Sequence, residues 1–185
     1  SIGDFSETRQ WQIAADAISV YLVNNGNCAG TSWNLPANAW DNSSTTYASR
    51  LIPRKSADDS ANYLAATANA AADIGGSITA VEIGLQGYRQ TTEITTSFVP
   101  YFNGSTAGSV YNNTTLPTTD IGGTDYVNIT SDAAGPGASN WTWAAVQNLD
   151  YRVYGTNSAQ NAERTLSVNQ FRIRVTYTPN NAPTG

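Results

Sequence analysis

Residues 77–87 alternate between apolar and polar positions, with the period of two that is typical of a half-buried β-strand. Val81, Ile83 and Leu85 fall on one face of this segment, and Glu82 points the other way. We expect the segment to form a strand whose apolar face lines the core.

A second segment, near the C-terminus, shows the same alternation. Its apolar positions are Phe171, Ile173, Val175 and Tyr177, and its polar positions are Arg172, Arg174, Thr176 and Thr178. Pro179 ends the pattern, because proline cannot donate a hydrogen bond to a neighbouring strand. We expect the apolar set to be buried together with that of residues 77–87.

Three further segments are rich in Thr, Val, Ile, Tyr and Phe and are predicted to be strands: residues 92–102, 126–130 and 150–155. Turn-forming residues lie between the predicted strands, at Asn103-Gly104, Asn112-Asn113, Gly122-Gly123 and Gly135-Pro136-Gly137. Short strands with frequent turns indicate an all-β fold, an antiparallel β-sandwich or barrel.

Two segments depart from this pattern. Residues 11–22 carry apolar side chains at helical spacing, with Ser6 as a candidate N-cap, whereas residues 18–23 have the composition of a strand. We expect a short helix or irregular arm up to Ala17, followed by a strand. Residues 141–149 are predicted to form one or two helical turns.

The sequence shows no internal repeat and no linker long enough to divide it. A chain of 185 residues can bury a core of its own. We therefore expect one β-sandwich domain over residues 31–179. An N-terminal arm and first strand precede it over residues 1–30, and a flexible tail follows over residues 180–185.

The charge content argues against two classes of partner. Charged residues make up 12% of the chain, against about 25% in an average protein, and the formal net charge is −5. Nine basic residues in an acidic chain cannot build a broad face for nucleic acid. No apolar run is long enough to span a membrane. We expect neither a nucleic-acid partner nor a membrane span.

The residue types that are missing narrow the chemistry further. The chain has no His, which excludes Ser-His-Asp and Cys-His catalysis and every histidine-ligated metal site. Its single Cys, Cys28, cannot form an intrachain disulfide or a thiolate cluster, and we expect it to be a small buried apolar side chain. We expect no cofactor and no enzymatic activity.

Paired carboxylates are the remaining route to catalysis. Glu82 and Glu93 lie on neighbouring predicted strands and could face each other across a sugar, as the acids of a glycosidase do. The alternative is a solvated sheet face on which they pair with Arg89, Arg172 or Arg174. We favour the ion pairs, because nothing in these strands indicates the desolvated pocket that raises the pKa of a catalytic acid.

Two acidic segments are weak candidates for a calcium site. Asp58-Asp59 is one, and Asp120 with Asp125 is the other, since oxygen-rich turns suit that hard cation. Neither segment matches a defined calcium-binding loop, so plain turns are the favoured interpretation and no metal is expected.

Tryptophan side chains raise the possibility of glycan binding by stacking. The candidates are Trp33, Trp40, Trp141 and Trp143. Tryptophan more often packs into a core or an interface, and we expect at least one of Trp141 and Trp143 to anchor the rim of the sandwich.

Asn-X-Ser/Thr sequons are slightly more frequent than chance predicts. They start at Asn42, Asn103, Asn112, Asn113, Asn128 and Asn140. These sites can be glycosylated only if the chain is exported through suitable machinery.

The order of several motifs resembles a group of β-sandwich modules found in phage virion proteins and in exported bacterial surface proteins. Trp33-Asn-Leu-Pro-Ala-Asn-Ala39, followed by Asp41 and Tyr47-Ala48, is similar to their W-x-x-P-x-N-A … D … Y-A opening. Tyr63-Leu64 matches a following Leu-bearing strand.

The later motifs continue the resemblance, which covers roughly residues 33–178. Ile78 to Leu85 is similar to I-x-G-I-x-V-x-I, with Ala80 at the second Gly position, and Trp141-Thr-Trp143 matches a Trp-rich stretch before a turn. Phe171 to Thr178 resembles the closing F-x-I-x-V-x-Y-T strand. Residues 132–140 replace the Gly-rich loop of these modules, and the first 30 residues have no counterpart.

The resemblance implies a jelly-roll-like sandwich that presents loops at its ends, and it implies no catalytic residues. Our leading hypothesis is a structural protein of a virion, as a capsid decoration, fibre or tail component, that assembles with copies of itself or with neighbouring proteins. One alternative is an extracellular or cell-surface filament subunit that assembles by strand addition. The other is a carbohydrate-binding module.

The N-terminal arm is the predicted connector in such an assembly. It carries four large apolar side chains, Ile2, Phe5, Trp11 and Ile13, outside the predicted sandwich. Exposed to water, each would forgo roughly 1.5–3 kcal/mol of burial free energy. We expect the arm to pack on a neighbouring subunit. The alternative is that it folds back over an open edge of its own sheet.

Overall fold

The computed structural model of the chain describes residues 19–24, 27–39, 43, 45–57, 62–67, 69, 71–113, 116–119 and 124–180. Its strands, in chain order, are β1 (Ser19–Asn24), β2 (Asn27–Gly30), β3 (Ala48–Ile52), β4 (Ser56–Ala57), β5 (Leu64–Thr67), β6 (Ser77–Arg89), β7 (Ile94–Phe102), β8 (Thr106–Ala107), β9 (Tyr111–Asn113), β10 (Asp125–Asn128), β11 (Asp150–Asn157) and β12 (Arg164–Thr178). A 3₁₀ turn (Pro36–Ala39) and one short helix, α1 (Trp143–Gln147), complete the regular structure of these residues.

The strands form two antiparallel sheets. The first sheet has the order β1-β12-β6-β10, with β3 also paired to β12. The second has the order β2-β5-β11-β7-β8, with β4 on β11 and β9 on β7. Consecutive strands cross repeatedly from one sheet to the other, as β6 to β7 and β11 to β12 do. This confirms the predicted all-β, jelly-roll-like antiparallel sandwich.

The two segments with the strongest alternation, β6 and β12, are hydrogen-bonded neighbours at the centre of the first sheet. The register places Val81 opposite Val175, Ile83 opposite Ile173 and Leu85 opposite Phe171. All six side chains are fully buried, and Arg172 and Arg174 lie on the other face of β12, as predicted. Tyr177 is only half-buried.

Aromatic rings join the two sheets across the core. The Tyr151 ring on β11 lies 6.3 Å from that of Phe98 in its own sheet and 5.0 Å from that of Phe171 in the first sheet. The contacts are tilted or edge-on, the arrangements that aromatic pairs prefer. β11 and β12 therefore pack directly on each other.

Helix α1 closes one end of the sandwich, where the sequence predicts one or two helical turns. The Thr142 side chain caps it by accepting a hydrogen bond from the Ala145 amide at 3.1 Å. The buried ring of Trp143 packs edge-on against Tyr177 at 5.5 Å. The helix thereby covers the C-terminal end of β12.

The turn predictions have mixed outcomes. Asn103-Gly104 forms the β7–β8 turn, with both residues at positive φ. Asn112-Asn113 lies in β9, so the prediction of a turn there is wrong: Asn112 pairs with Ser97 and Asn113 with Thr96 of β7. Gly122-Gly123 lies outside the described residues.

The N-terminal region contributes to both sheets. β1 pairs with β12 in the first sheet, in agreement with the strand predicted at residues 18–23, and β2 pairs with β5 in the second. The sandwich therefore already includes strands within residues 1–30. The helix or irregular arm predicted up to Ala17 lies outside the described residues.

Candidate functional site

A groove of about 360 Å³ opens on the outer face of the second sheet. Ala29 on β2 and Ala65 on β5 are paired in register, and Arg152 on β11 pairs with Ala65. The two alanines leave a depression beside strands whose other outward side chains are larger. Tyr63 and Tyr101 form the aromatic walls of the groove.

The guanidinium group of Arg152 lies between these two aromatic walls. Its Cζ is 4.1 Å from the ring centroid of Tyr63 and 4.2 Å from that of Tyr101. Tyr63 directly precedes β5 and Tyr101 lies on β7, the two strands that flank β11, so the two rings approach Arg152 from opposite sides. Such cation–π contacts fix the positions of all three side chains.

Tyr154 extends the same cluster along β11. Its ring lies 6.1 Å from the Tyr63 ring. Burial raises the pKa of Tyr154 and the neighbouring Tyr101 hydroxyl raises it further, while a hydrogen bond that Arg152 donates to the Tyr154 hydroxyl opposes the shift. Tyr101, Arg152 and Tyr154 therefore form one interacting network.

A carboxylate completes the groove. Asp150 pairs with Tyr101 in the β11–β7 register and lies two residues before Arg152, on the same face of β11. The groove thus combines aromatic surface, a hydrogen-bond donor and an acceptor, with formal charges that cancel. This combination can hold a ligand by stacking and hydrogen bonding.

The sequence does not single out these residues, because they are far apart in the chain: Tyr63 precedes β5, Tyr101 is on β7, and Asp150, Arg152 and Tyr154 are on β11. The outward set of Asp150, Arg152 and Tyr154 is visible as an alternation along residues 150–155. The contacts of Arg152 with Tyr63 and Tyr101 depend on the strand order of the second sheet, which the alternation does not reveal.

The outer face of the first sheet carries a different arrangement. Arg174 on β12 binds Glu82 on β6 through two hydrogen bonds, Nε to Oε2 at 2.6 Å and Nη2 to Oε1 at 2.8 Å. Its Cζ lies 3.9 Å from the Tyr126 ring on β10. Glu82 therefore has the partner that the solvated-face interpretation predicts.

Glu93 follows Glu82 by eleven residues and lies in the turn between β6 and β7. Arg164 Nε donates to its Oε2 at 2.6 Å, and the Thr91 hydroxyl donates to the same atom. The hydrogen bond from Arg164, followed by that from Thr91, lowers the pKa of Glu93. The idea that Glu82 and Glu93 face each other is wrong, since β6 and β7 belong to different sheets.

Three of the four candidate stacking tryptophans are buried. Trp33 and Trp141 are 6% exposed and Trp143 is 5% exposed. The Trp141 indole N–H donates to the Thr130 carbonyl at 2.9 Å, and that of Trp143 to the Gly75 carbonyl at 2.8 Å. Burial rules out these three as exposed stacking platforms. Trp40 lies outside the described residues.

The calcium candidates fall mostly outside the part of the chain that the structure describes. Asp58, Asp59 and Asp120 are outside the described residues, and Asp125 is the first residue of β10. Among the described residues, no group of three or more His, Cys, Asp or Glu side chains could hold a metal ion.

A buried carboxylate that the sequence does not single out links two loops. Asp132 accepts hydrogen bonds from the Ser109 amide at 2.9 Å, the Tyr111 hydroxyl at 2.7 Å and the Ala134 amide at 2.9 Å. Burial raises the pKa of Asp132, but these hydrogen bonds outweigh it and hold the pKa below its ordinary value. Burial and Asp132 together raise the pKa of Tyr111 to about 12.

The described sequon asparagines are largely at the surface. Asn103, Asn112, Asn128 and Asn140 are exposed, whereas Asn42 lies outside the described residues. Asn113 is in β9, and Cys28 is in β2.

The start of β1 and the end of β12 lie side by side at the same end of the sandwich. Ser19, the first residue of β1, lies opposite Tyr177, near the end of β12. The predicted connector residues Ile2, Phe5, Trp11 and Ile13 precede β1 and lie outside the described residues. No helix within the described ranges is long and apolar enough to cross a membrane.

No protein-family model and no curated protein matches this sequence. Among solved structures, a chain of infectious bursal disease virus, Gx strain, aligns with 91% of this chain and 34% of its own, at 13% identity and a TM-score of 0.36. A chain of the Gt strain aligns over the same shares at 12% identity and a TM-score of 0.37.

TmCBM61, solved in complex with β-1,4-galactotriose, aligns with 85% of this chain and 88% of its own, at 4% identity and a TM-score of 0.35. The present chain spans about a third of the length of the viral chains. We draw no function from similarities at this level.

Proposed function

We propose that this chain is a non-enzymatic structural protein of a virion, a capsid decoration, fibre or tail component, and that it acts by assembling with copies of itself. The sandwich fold and its low surface charge support this role, because extensive polar contacts then form at modest desolvation cost. The ion pairs of Glu82 and Glu93 support a non-enzymatic function, since Glu82 joins β6 to β12 and Glu93 joins the β6–β7 turn to β12.

The observation that carries the proposal is the position of Ser19 opposite Tyr177. β1 is an edge strand of the first sheet among the described residues, so the apolar arm that precedes it starts at a sheet edge. Edge strands present unpaired backbone groups to other chains. An arm with four large apolar side chains at this position is suited to pack on a second copy.

Deletion of residues 1–13 tests the proposal. The full chain should be oligomeric by multi-angle light scattering, and the truncated chain should be a folded monomer. Deletion of residues 181–185 is the matched control, because these residues follow β12, whose end is paired with the start of β1, and include no large apolar side chain. A truncated chain that assembles like the full chain, or a full chain that is monomeric, would contradict the proposal.

The alternative structural role is that of a secreted filament or cell-surface subunit that assembles by strand addition. β3 pairs with residues 164–168 of β12 and β1 with residues 172–177, so β1 covers the part of this edge that β3 leaves open. A donated strand would occupy that position. Electron microscopy separates the two, since strand addition yields open filaments.

Glycan recognition is a second candidate function, in which the chain acts by binding a ligand. The groove at Tyr63, Tyr101 and Arg152 is the observation that favours it. A glycan array probed with the full chain tests it, and the absence of binding to every glycan would contradict it. This function is compatible with assembly, because the groove and the β1 edge belong to different sheets.

A further inference from the structure

We propose that the groove on the second sheet binds a neutral, hydroxyl-rich oligosaccharide. Tyr63 and Tyr101 would supply the aromatic surface, and Arg152 and Asp150 would hydrogen-bond the sugar hydroxyls. This inference rests on the candidate glycan-binding function and names its site and its ligand class. It is independent of the assembly proposal.

The aromatic walls are held in place before any ligand arrives. Arg152 contacts both Tyr63 and Tyr101 at about 4 Å from the ring centroids, and Tyr63 also packs against Tyr154. Side chains that are already ordered lose less conformational entropy on binding. Both rings line the groove and are partly exposed, so the apolar C–H surface of a sugar ring can pack on the area that Arg152 leaves uncovered.

The size of the groove suits a small ligand. Its lining includes the small residues Ala29, Gly30 and Ala65 beside the two tyrosines. A volume of about 360 Å³ is within the range of small-molecule sites, roughly 300–1,000 Å³. The groove is therefore large enough to hold part of an oligosaccharide.

The charge of the groove favours a neutral ligand. Arg152 supplies N–H donors and the Asp150 carboxylate supplies acceptors, and a sugar hydroxyl needs both because it donates and accepts. Their formal charges cancel, and the chain as a whole has a net charge of −5. The groove therefore carries no excess positive charge that would attract an acidic glycan.

A second arginine–tyrosine contact provides a matched control. Arg174 lies over the Tyr126 ring at 3.9 Å on the outer face of the first sheet. Its guanidinium is already bound by Glu82 through two hydrogen bonds. We expect this second contact to hold strands together and to bind no glycan.

A glycan array with immobilised neutral and acidic oligosaccharides, probed with the full chain, tests the inference. Neutral glycans should bind, and Tyr63→Ala and Tyr101→Ala should each weaken binding about tenfold or more, the factor that corresponds to the loss of one aromatic contact surface. Asp150→Asn should also weaken binding to neutral glycans. Tyr126→Ala should leave binding unchanged. Circular dichroism establishes that each variant is folded. Tyr63 and Tyr101 are in separate parts of the chain, so each variant serves as the second test if the other fails to fold.

Three results would overturn the inference, and they are distinguishable. Binding to no glycan would remove the glycan-binding function along with it. Selective binding to acidic glycans, strengthened by Asp150→Asn, would contradict the neutral ligand class but leave glycan recognition standing. Equal losses in the Tyr126→Ala and Tyr63→Ala variants would place binding elsewhere. Light scattering on the same samples reports assembly separately.

Discussion

The hydroxyl group of Tyr151, in the second sheet, lies 2.8 Å from the carbonyl oxygen of Gly84, in the first sheet. The same hydroxyl is 2.9 Å from the Arg172 carbonyl oxygen on β12. The Tyr151 side chain is fully buried, so these contacts form inside the core. A buried polar group that is shared between two sheets fixes how the sheets sit on each other.

Replacement of Tyr151 by Phe should therefore destabilise the protein. The variant keeps the ring contacts with Phe98 and Phe171 but removes the hydroxyl donor from buried carbonyl groups. We expect the free energy of unfolding to fall by about 1–3 kcal/mol. Urea denaturation of the variant measures this, with Tyr126→Phe on the outer face of the first sheet as the control. A loss equal to that of the control would mean that the hydroxyl contributes nothing across the sheets.

The core itself is tested by Ile173→Ala on β12. Ile173 is fully buried opposite Ile83, and truncation leaves a cavity between the sheets. The expected loss is about 2–5 kcal/mol in the free energy of unfolding. Thr176→Ala, on the outward face of the same strand, should change it by less than about 0.5 kcal/mol. Similar effects at the two positions would show that the face assignment is incorrect.

Asp132 should make stability depend on pH. Its folded-state pKa is lowered from an ordinary value of 3.8, so its ionised form stabilises the folded state. This contribution is fully present above the unfolded-state pKa and is lost as the pH falls through the lower folded-state pKa.

The Asp132→Asn variant isolates this contribution. At pH 7 the variant should be less stable than the unmodified chain by about 1–3 kcal/mol, because Asn replaces a charged acceptor of three hydrogen bonds. The difference should shrink as the pH is lowered below about 4, where the carboxyl becomes protonated. Urea denaturation at several pH values measures it, and a difference that stays constant with pH would contradict the role of the ionised carboxylate.

The sequence predicts those strands in which apolar and polar residues alternate. β6 and the second half of β12 follow from residues 77–87 and 171–178, because one buried face forces a period of two. Residues 164–170 of β12 escape prediction, since Leu166, Ser167, Val168, Asn169 and Gln170 are all buried and show no alternation. A β-bulge between Val168 and Gln170 shifts the register there.

The candidate site is predicted less well, for two physical reasons. Trp33, Trp141 and Trp143 are conspicuous in the sequence, but their indole rings are large apolar groups and the core takes them up. The groove residues Tyr63, Tyr101 and Arg152 are unremarkable one by one. They become a site only through the pairing of β11 with both β5 and β7.

Isotope-labelled cross-linking tests most directly whether the N-terminal arm packs on a second copy of the chain. Equal amounts of ¹⁴N and ¹⁵N chains, with a photo-reactive phenylalanine derivative in place of Trp11, are unfolded together, refolded, irradiated and analysed by mass spectrometry. The same derivative in place of Val110, which is 64% exposed before β9, is the control. We predict cross-links from position 11 that join a light chain to a heavy chain, and far fewer from position 110. Cross-links from position 11 that stay within one chain would show that the arm folds back on its own sandwich and would contradict the claim.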